Sequence, residues 1–369
     1  MSSRQKTAYI RETVGQIVFF VDLARGLLLR RDMICAKPHM RFSLMVLSSV
    51  LLFMATPAAA QTSASYMYRL SDFSGPVASL WARLAVDPVK GEVYTLNRSG
   101  SVIQIFNDTA MQIFDCGEDL ALASSLDIAA ADDGEMLVLY RSPAATVRHL
   151  NYRGELLNEI KIVPTGQGLQ NFNPAYLDYK NGSLYLADSE NMQVVVASVT
   201  GEVQRSFDFR RQLEGQTRIA LKDETLRKSQ RKRLQDKLTA LGKADMTGFS
   251  VDANGNLFFT IASLFTAFRA TPQGELEEFG TPGGAPGKFG VIASISADKA
   301  GHIYVADRLR CVVLLFDKDL NFLTEFGYRG EQPHNLVVPD DIAIDERNGR
   351  IYVAQAANLG VSVFSIKHD

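Results

Sequence analysis

Apolar and polar residues alternate along most of this 369-residue chain in short runs, separated by turns that contain Asp, Asn or Gly. Six stretches repeat one outline: an apolar strand that ends near an Asp, a short turn, and a second apolar strand with an aromatic residue or leucine near its start. They are LAVDPVKGEVYTLN (84–97), LDIAAADDGEMLVLY (126–140), YLDYKNGSLYLAD (176–188), FSVDANGNLFFTI (249–261), ISADKAGHIYVAD (295–307) and IAIDERNGRIYVAQ (342–355). Such alternation around Asn-Gly or Asp-Gly type turns predicts a β-hairpin in each stretch.

The hairpins recur along the chain as repeats. Their second strands are marked by Tyr94, Leu137, Tyr185, Phe258, Tyr304 and Tyr352. A third strand follows most hairpins, such as CVVLLFD (311–317), and a fourth follows several, such as GELEEFG (274–280). Four short antiparallel strands about every 45 residues are typical of a β-propeller blade. The pattern predicts an all-β fold, a six-bladed β-propeller of four-stranded antiparallel blades over residues 61–369.

The two ends of the repeat region indicate how the ring closes. The sixth hairpin is followed by one further strand, VSVFSI (361–366), and the spare strand SYMYRLSDF (65–73) precedes the first hairpin. We expect the spare strand to become the outer strand of blade six, because closure removes a sheet edge that would otherwise template aggregation.

Several motifs resemble those of a known family. PDDIAIDERNGRIYVAQ (339–355), DKAGHIYVADRLRCVVLLFD (298–317) and the glycine-rich FG…G…GKF connector look like NHL repeats. The resemblance is strongest over about 245–369 and at 174–199, and it is weak at 126–150. It implies a six-bladed propeller in which each connector joins the outer strand of one blade to the inner strand of the next.

One interval interrupts the repeat. Residues 210–244 carry eleven Lys/Arg and four Asp/Glu and predict a basic helical insertion between blades three and four. Its apolar residues fall near one face at helical period, namely Ile219, Leu226, Leu234, Leu238 and Leu241. Either the insertion is a solvated helix packed on its own acidic propeller, or it docks an anionic partner at the face where the channel opens. For docking, the candidate binding residues are Arg227, Lys228, Arg231, Lys232 and Arg233.

The segment 40–60 has the outline of a secretory signal peptide: Arg41, an apolar run, and three alanines ending at Ala60. Its apolar run is too short to span a bilayer. We therefore expect cleavage near Ala60, export to the periplasm or the exterior, and no transmembrane span in the mature chain. Residues 1–39 are interpreted as an upstream segment from a misassigned start, or as an extended leader. The mature chain carries 31 Lys/Arg and 38 Asp/Glu, a net charge of −7.

Several catalytic motifs are missing from the sequence. It contains no HExxH, CxxC or GxSxG, which argues against an ordinary zinc site or a nucleophile elbow. FGTPGGAPGKFG (279–290) has the Gly-Lys of a phosphate-binding loop, but Pro282 and Phe289 replace its required glycine and hydroxyl residue. A strand is predicted after this loop where a helix would be needed to bind phosphate. The loop is therefore interpreted as a connector between blades.

Polar residues before the inner strands are the candidate site. Asp340 and Asp341 precede the inner strand of blade six, Arg83 and Asn173 hold similar places in other blades, and His334 falls in a connector to the same channel mouth. Because successive strand residues point opposite ways, at most one of the two aspartates faces the channel. A propeller of the lactonase or lyase type would use such channel-mouth positions to bind a divalent metal.

Two functions are weighed on the sequence, beside a purely structural role in the cell envelope that also stays open. The favoured one is a non-enzymatic, monomeric scaffold that binds a protein or an anionic polymer, rather than nucleic acid, through the channel mouth and the basic insertion. The alternative is a lactonase-like hydrolase or lyase with a divalent metal in the channel. Scarce histidine and few carboxylates favour the first. No cofactor is expected, and a central Ca²⁺ or other divalent ion is left open.

Overall fold

The computed structural model describes residues 62–368, apart from 80, 98–100, 118–119, 142–144, 165–167 and 357–358. The predicted signal peptide and the segment before it, residues 1–60, lie outside the described residues. Within the part that the structure describes, no helix has the length and apolar character needed to cross a membrane.

Six four-stranded antiparallel sheets form the blades, as the repeat predicts. Before them come β1 (Ser63–Arg69) and a small ribbon of β2 (Ser71–Asp72) and β3 (Gly75–Pro76). Blades one to three contain β4 (Arg83–Val86), β5 (Val93–Asn97), β6 (Val102–Phe106), β7 (Gln112–Cys116); β8 (Ser125–Ala130), β9 (Met136–Tyr140), β10 (Thr146–Leu150), β11 (Leu156–Lys161); and β12 (Tyr176–Lys180), β13 (Ser183–Asp188), β14 (Gln193–Ser198), β15 (Val203–Asp208).

The second half of the ring is built in the same way. Blades four to six contain β16 (Gly248–Val251), β17 (Leu257–Ile261), β18 (Thr266–Ala270), β19 (Leu276–Phe279); β20 (Ile292–Ala297), β21 (Ile303–Asp307), β22 (Val312–Phe316), β23 (Phe322–Gly327); and β24 (Pro339–Asp345), β25 (Arg350–Gln355), β26 (Val361–Lys367). In blades one to five the first strand in the chain borders the channel. In blade six β24 takes this place, and β1, from the start of the described chain, is the outermost strand.

Ring closure follows the sequence-based expectation. β1 pairs antiparallel with β26, from Ser63 opposite Lys367 to Arg69 opposite Ser362. The sheet order of blade six is therefore β1–β26–β25–β24. This pairing covers the edge of β26 that the last repeat leaves open, and it joins the two ends of the propeller through backbone hydrogen bonds.

The hydrophobic core is divided among the seams between blades. Among the described residues, six buried clusters occur, and each lies between two neighbouring blades. Second strands such as β17 and β21 are buried along their whole length because both of their faces pack against other blades. This explains why their sequences are continuous apolar runs and lack the alternation of a half-exposed strand. Cys116 and Cys311 are free thiols.

The glycine-rich loop 279–290 is a connector, as predicted, and Phe289 anchors it. Phe289 is fully buried between blades four and five, with ring centroids 6.2 Å from Phe279 and 5.6 Å from Phe316. Gly280 has φ +91°, and a Cβ there would lie 2.0 Å from the Phe289 ring. The glycines of this loop therefore serve chain reversal and close aromatic packing.

We expect Phe289→Leu to lower the free energy of unfolding by about 1–2 kcal/mol, because the smaller side chain leaves part of this aromatic pocket unfilled. Chemical denaturation with urea measures the change. Lys288→Leu, at an adjacent connector position whose side chain is exposed, is the matched control and should stay near the wild-type value. A Phe289→Leu midpoint equal to that of wild type would contradict the anchoring role.

The insertion forms two helices, α1 (Phe209–Ala220) and α2 (Lys228–Leu241). The expected apolar face is wrong for α1 alone: Leu241 is fully buried and Leu226, Leu234 and Leu238 are half-buried, whereas Ile219 is 68% exposed. The reason is the turn between the helices, which resets the helical period after Ala220. Phe209 and Leu213 of α1 instead pack into the seam between blades three and four.

Candidate functional site

Each innermost strand places one residue at the same level of the channel. In every blade this residue pairs with the residue two places after the second-strand marker, as Arg83 pairs with Leu96, two residues after Tyr94. We call these six residues the channel ring: Arg83, Asp127, Tyr176, Gly248, Ser294 and Asp341. The ring therefore holds one guanidinium with a carboxyl group on the neighbouring blade at either side, blade six and blade two.

Arg83 is the central feature of the ring. Its Nη1 atom lies 3.8 Å from Asp341 Oδ1, and its guanidinium carbon lies 5.3 Å from the centroid of the Tyr176 ring. The Arg83 side chain is only 17% exposed. Among the described residues no atom accepts a hydrogen bond from it, so its donors are available to an acceptor in the cavity.

The two carboxyl groups of the ring are held by three backbone donors and one hydroxyl group. Asp341 Oδ2 accepts from Leu84 N at 2.9 Å, and Oδ1 accepts from Ser294 Oγ at 2.9 Å. Asp127 Oδ2 accepts from Leu177 N at 2.8 Å, and Oδ1 accepts from Ile128 N at 3.0 Å. Each aspartate thereby tethers its own blade to a neighbour, and its orientation is fixed before any ligand arrives.

Burial changes the proton affinity of these groups. It raises the pKa of Asp127 to about 7, with Arg83 opposing the shift and Asp341 adding to it. Burial also raises the pKa of Asp341, and again Arg83 opposes. For Arg83, burial lowers the pKa, but the negative charges of Asp341 and Asp127 raise it by more. The net shift of the Arg83 pKa is therefore upward. Near neutral pH the ring therefore keeps a charged guanidinium beside a carboxyl group that can gain or lose a proton.

A cavity of about 560 Å³ runs from the ring along the inner strands. It ends at the turns that join first and second strands, where Lys180, Lys299, Arg347, Asp132 and Glu346 line it. This volume is in the range of small-molecule sites. The cavity thus has a charged inner end at the ring and a polar mouth at these turns, on the face opposite the connectors.

The structure separates the residues expected at the channel mouth. Asp341 and Arg83 line the cavity, whereas Asp340 points away and binds Arg308, with Arg308 Nε 2.8 Å from Asp340 Oδ1. One aspartate of the pair therefore faces the channel. Asn173 and His334 are exposed and do not line the cavity. Tyr176, three residues after Asn173, holds the ring position in blade three.

The basic residues of the insertion lie away from the cavity. Arg227, Lys228, Lys232 and Arg233 are exposed, and none lines the cavity. Arg231 instead donates to the backbone oxygens of Leu221 and Asp223, which fixes the turn between α1 and α2. Lys237 pairs with Glu278 on β19, the outermost strand of blade four. The insertion therefore packs on blades three and four, and its basic residues do not line the cavity as expected.

A divalent metal suits this ring poorly. The Arg83 guanidinium occupies the space between the two carboxyl groups and would repel a cation. Both oxygens of Asp127 and of Asp341 already accept a hydrogen bond from the protein. Among the described residues of the cavity, no three metal-ligating side chains come within reach of one ion.

These features define a class of protein, the six-bladed β-propellers with a charged central channel. No protein-family model matches the chain, so membership of the NHL family is not confirmed. No curated protein matches it either.

Solved structures show the same fold in enzymes. A streptogramin B lyase is 12% identical, covers 83% of this chain and 98% of its own, and has a TM-score of 0.55. A gluconolactonase from Xanthomonas campestris is 12% identical, with coverages of 85% and 93% and a TM-score of 0.52. A virginiamycin B lyase from Staphylococcus aureus is 12% identical, with coverages of 84% and 100% and a TM-score of 0.51. At this identity the likeness shows the fold alone, and it lends no support to a scaffold role.

Proposed function

We propose that the protein is an enzyme that cleaves the ester bond of a small polar lactone in the propeller channel. The observation that carries the proposal is Arg83, a buried guanidinium with unused donors beside a carboxyl group that titrates near pH 7. The gluconolactonase and the two lyases of the same fold support an enzymatic role. The lactonase-like hydrolase or lyase therefore becomes the leading function, although no metal is proposed for its channel.

The ring groups have complementary roles in this reaction. Arg83 donates to the carbonyl oxygen of the lactone and stabilises the negative charge that develops there. The Asp127 carboxylate takes a proton from the attacking water as the new C–O bond forms. The ring C–O bond then breaks, and Asp127 returns the proton to the departing alkoxide. Asp341, anchored by Ser294, holds Arg83 in place.

A panel of γ- and δ-lactones, including glucono-δ-lactone, tests the proposal in a pH-indicator assay. We expect turnover that persists in EDTA, because the ring does not suit a metal. In H₂¹⁸O, hydrolysis places one ¹⁸O atom in the product, whereas elimination leaves the product unlabelled and creates a carbon–carbon double bond. Rates no higher than those of heat-denatured protein for every lactone would contradict the proposal.

A further inference from the structure

Two histidine rings stack where blade five meets the closing strand pair. His302 lies in the turn between β20 and β21, and His368 follows β26. Their ring centroids are 3.8 Å apart and their planes differ by 3°. Neither residue lines the channel cavity, so this cluster is separate from the proposed active site.

Asp298 fixes the His302 ring. Its Oδ1 accepts from the His302 backbone N at 2.8 Å, and its Oδ2 lies 2.9 Å from His302 Nδ1. The side chains of Asp298 and His302 are 13% and 21% exposed. With the Nδ1 proton directed at a carboxylate, Nε2 carries the lone pair, and no described atom donates to it. A carboxylate behind an imidazole is the usual support of a metal-binding histidine.

His368 is held more loosely than His302. Its Nδ1 lies 3.3 Å from Thr62 Oγ1, and its Nε2 lies 3.4 Å from the Tyr304 hydroxyl oxygen. Both contacts are near the long limit for hydrogen bonds. Neither contact therefore fixes the orientation of the His368 ring.

We infer that His302 and His368 form a binding site for one divalent transition-metal ion such as Zn²⁺, with Asp298 as the positioning residue. One possible ligand atom from each of the three residues lies within 4.8 Å of the others. Imidazole nitrogens suit Zn²⁺, Ni²⁺ and Cu²⁺, and water completes the coordination. In-plane lone pairs of parallel rings do not converge, so one ring must turn, and the loosely held His368 ring is free to do so.

The ion would link two parts of the ring. Asp298 and His302 belong to blade five, whereas His368 follows the strand that pairs with β1 to close blade six. Because these groups meet only where the folded blades five and six pack together, metal binding stabilises the folded propeller over the unfolded chain.

Metal titration of full-length protein tests the inference, with a purification tag that contains no histidine and with EDTA removed beforehand. We expect isothermal titration to show one Zn²⁺ per chain, and saturation to raise Tm by about 3–5 °C. His302→Ala and His368→Ala should remove both signals. Asp298→Asn should weaken binding by about 10–100-fold. His149→Ala is the matched control, because His149 Nε2 lies 2.5 Å from a Glu135 oxygen but no described histidine pairs with it.

Two results would overturn the inference: no binding of Zn²⁺, Ni²⁺ or Cu²⁺ at 1 mM, or a Tm increase in His368→Ala equal to that of wild type. His368 follows the last strand and is exposed, so its substitution leaves the fold intact and keeps the test valid even where His302→Ala disturbs its turn. Arg83→Met should keep Zn²⁺ binding, which separates this site from the channel.

Discussion

Replacing Arg83 by methionine is expected to lower kcat/KM for lactone cleavage by about 10²–10³-fold. Methionine keeps an apolar stem of similar length but offers no donor to the carbonyl oxygen, so the negative charge of the transition state loses its main stabilising group. The change also removes the cation that opposes the upward pKa shifts of Asp127 and Asp341. The remaining activity should therefore have its pH profile displaced to higher pH.

The measurement is the initial rate against lactone concentration, at several pH values, with circular dichroism to verify the fold. Arg227→Met is the matched control, since it removes the same group from an exposed position outside the cavity. Activity of Arg83→Met within threefold of wild type would rule out the role given to this guanidinium.

Asp127→Asn is expected to reduce kcat by about 10²–10⁴-fold, because an amide cannot take a proton from water. In wild type, kcat should rise with pH through about 7, where burial places the pKa of Asp127. The residual activity of the variant should lack that inflection. Ser250→Ala changes an uncharged side chain that also lines the cavity. The Ser250→Ala variant should keep the inflection near pH 7. If the same inflection persisted in Asp127→Asn, the base would have to be another group.

The same substitution has an effect on stability that requires no substrate. A carboxyl group whose pKa is higher in the folded than in the unfolded state stabilises the fold below its unfolded pKa, and this contribution is lost as pH rises through the folded value. For Asp127 the loss falls between about pH 4 and pH 7. We expect the Tm of Asp127→Asn, relative to wild type, to increase from pH 5 to pH 8. A constant difference would contradict the raised pKa.

The blades were predictable because hairpin turns and apolar strands are local signals that recur. Tyr94, Tyr304 and the other second-strand markers repeat with the blade, and the spare strand at 65–73 had one unpaired partner available. The insertion was harder to predict, because helical period in a charged segment does not reveal the turn between α1 and α2. Ile219 was assigned to the wrong face for this reason.

The channel ring was only partly predictable, and β-bulges are the physical cause. Register shifts immediately precede Asp127, Ser294 and Asp341, so counting alternate residues along these strands gives the wrong face. Arg83 and Asp341 were predicted because a charged residue directly before an apolar inner strand differs from the surrounding pattern. Asp127 was missed because it lies inside an apolar run. The spacing between the ring residue and the second-strand marker also differs between blades. The spacing from Asp341 to Tyr352, applied back from Leu137, reaches Leu126, which is one residue before Asp127.

The pairing of β1 with β26 has a consequence for synthesis. Its partners are separated by about 300 residues, so this contact forms only after the whole propeller sequence is available. Contacts that close such long loops form slowly, because their entropic cost precedes any gain. A chain still on the ribosome can complete five blades while β1, the outer strand of blade six, has no partner to pair with. Premature termination before β26 should therefore yield an open arc with a free strand at either end, prone to pair with other copies.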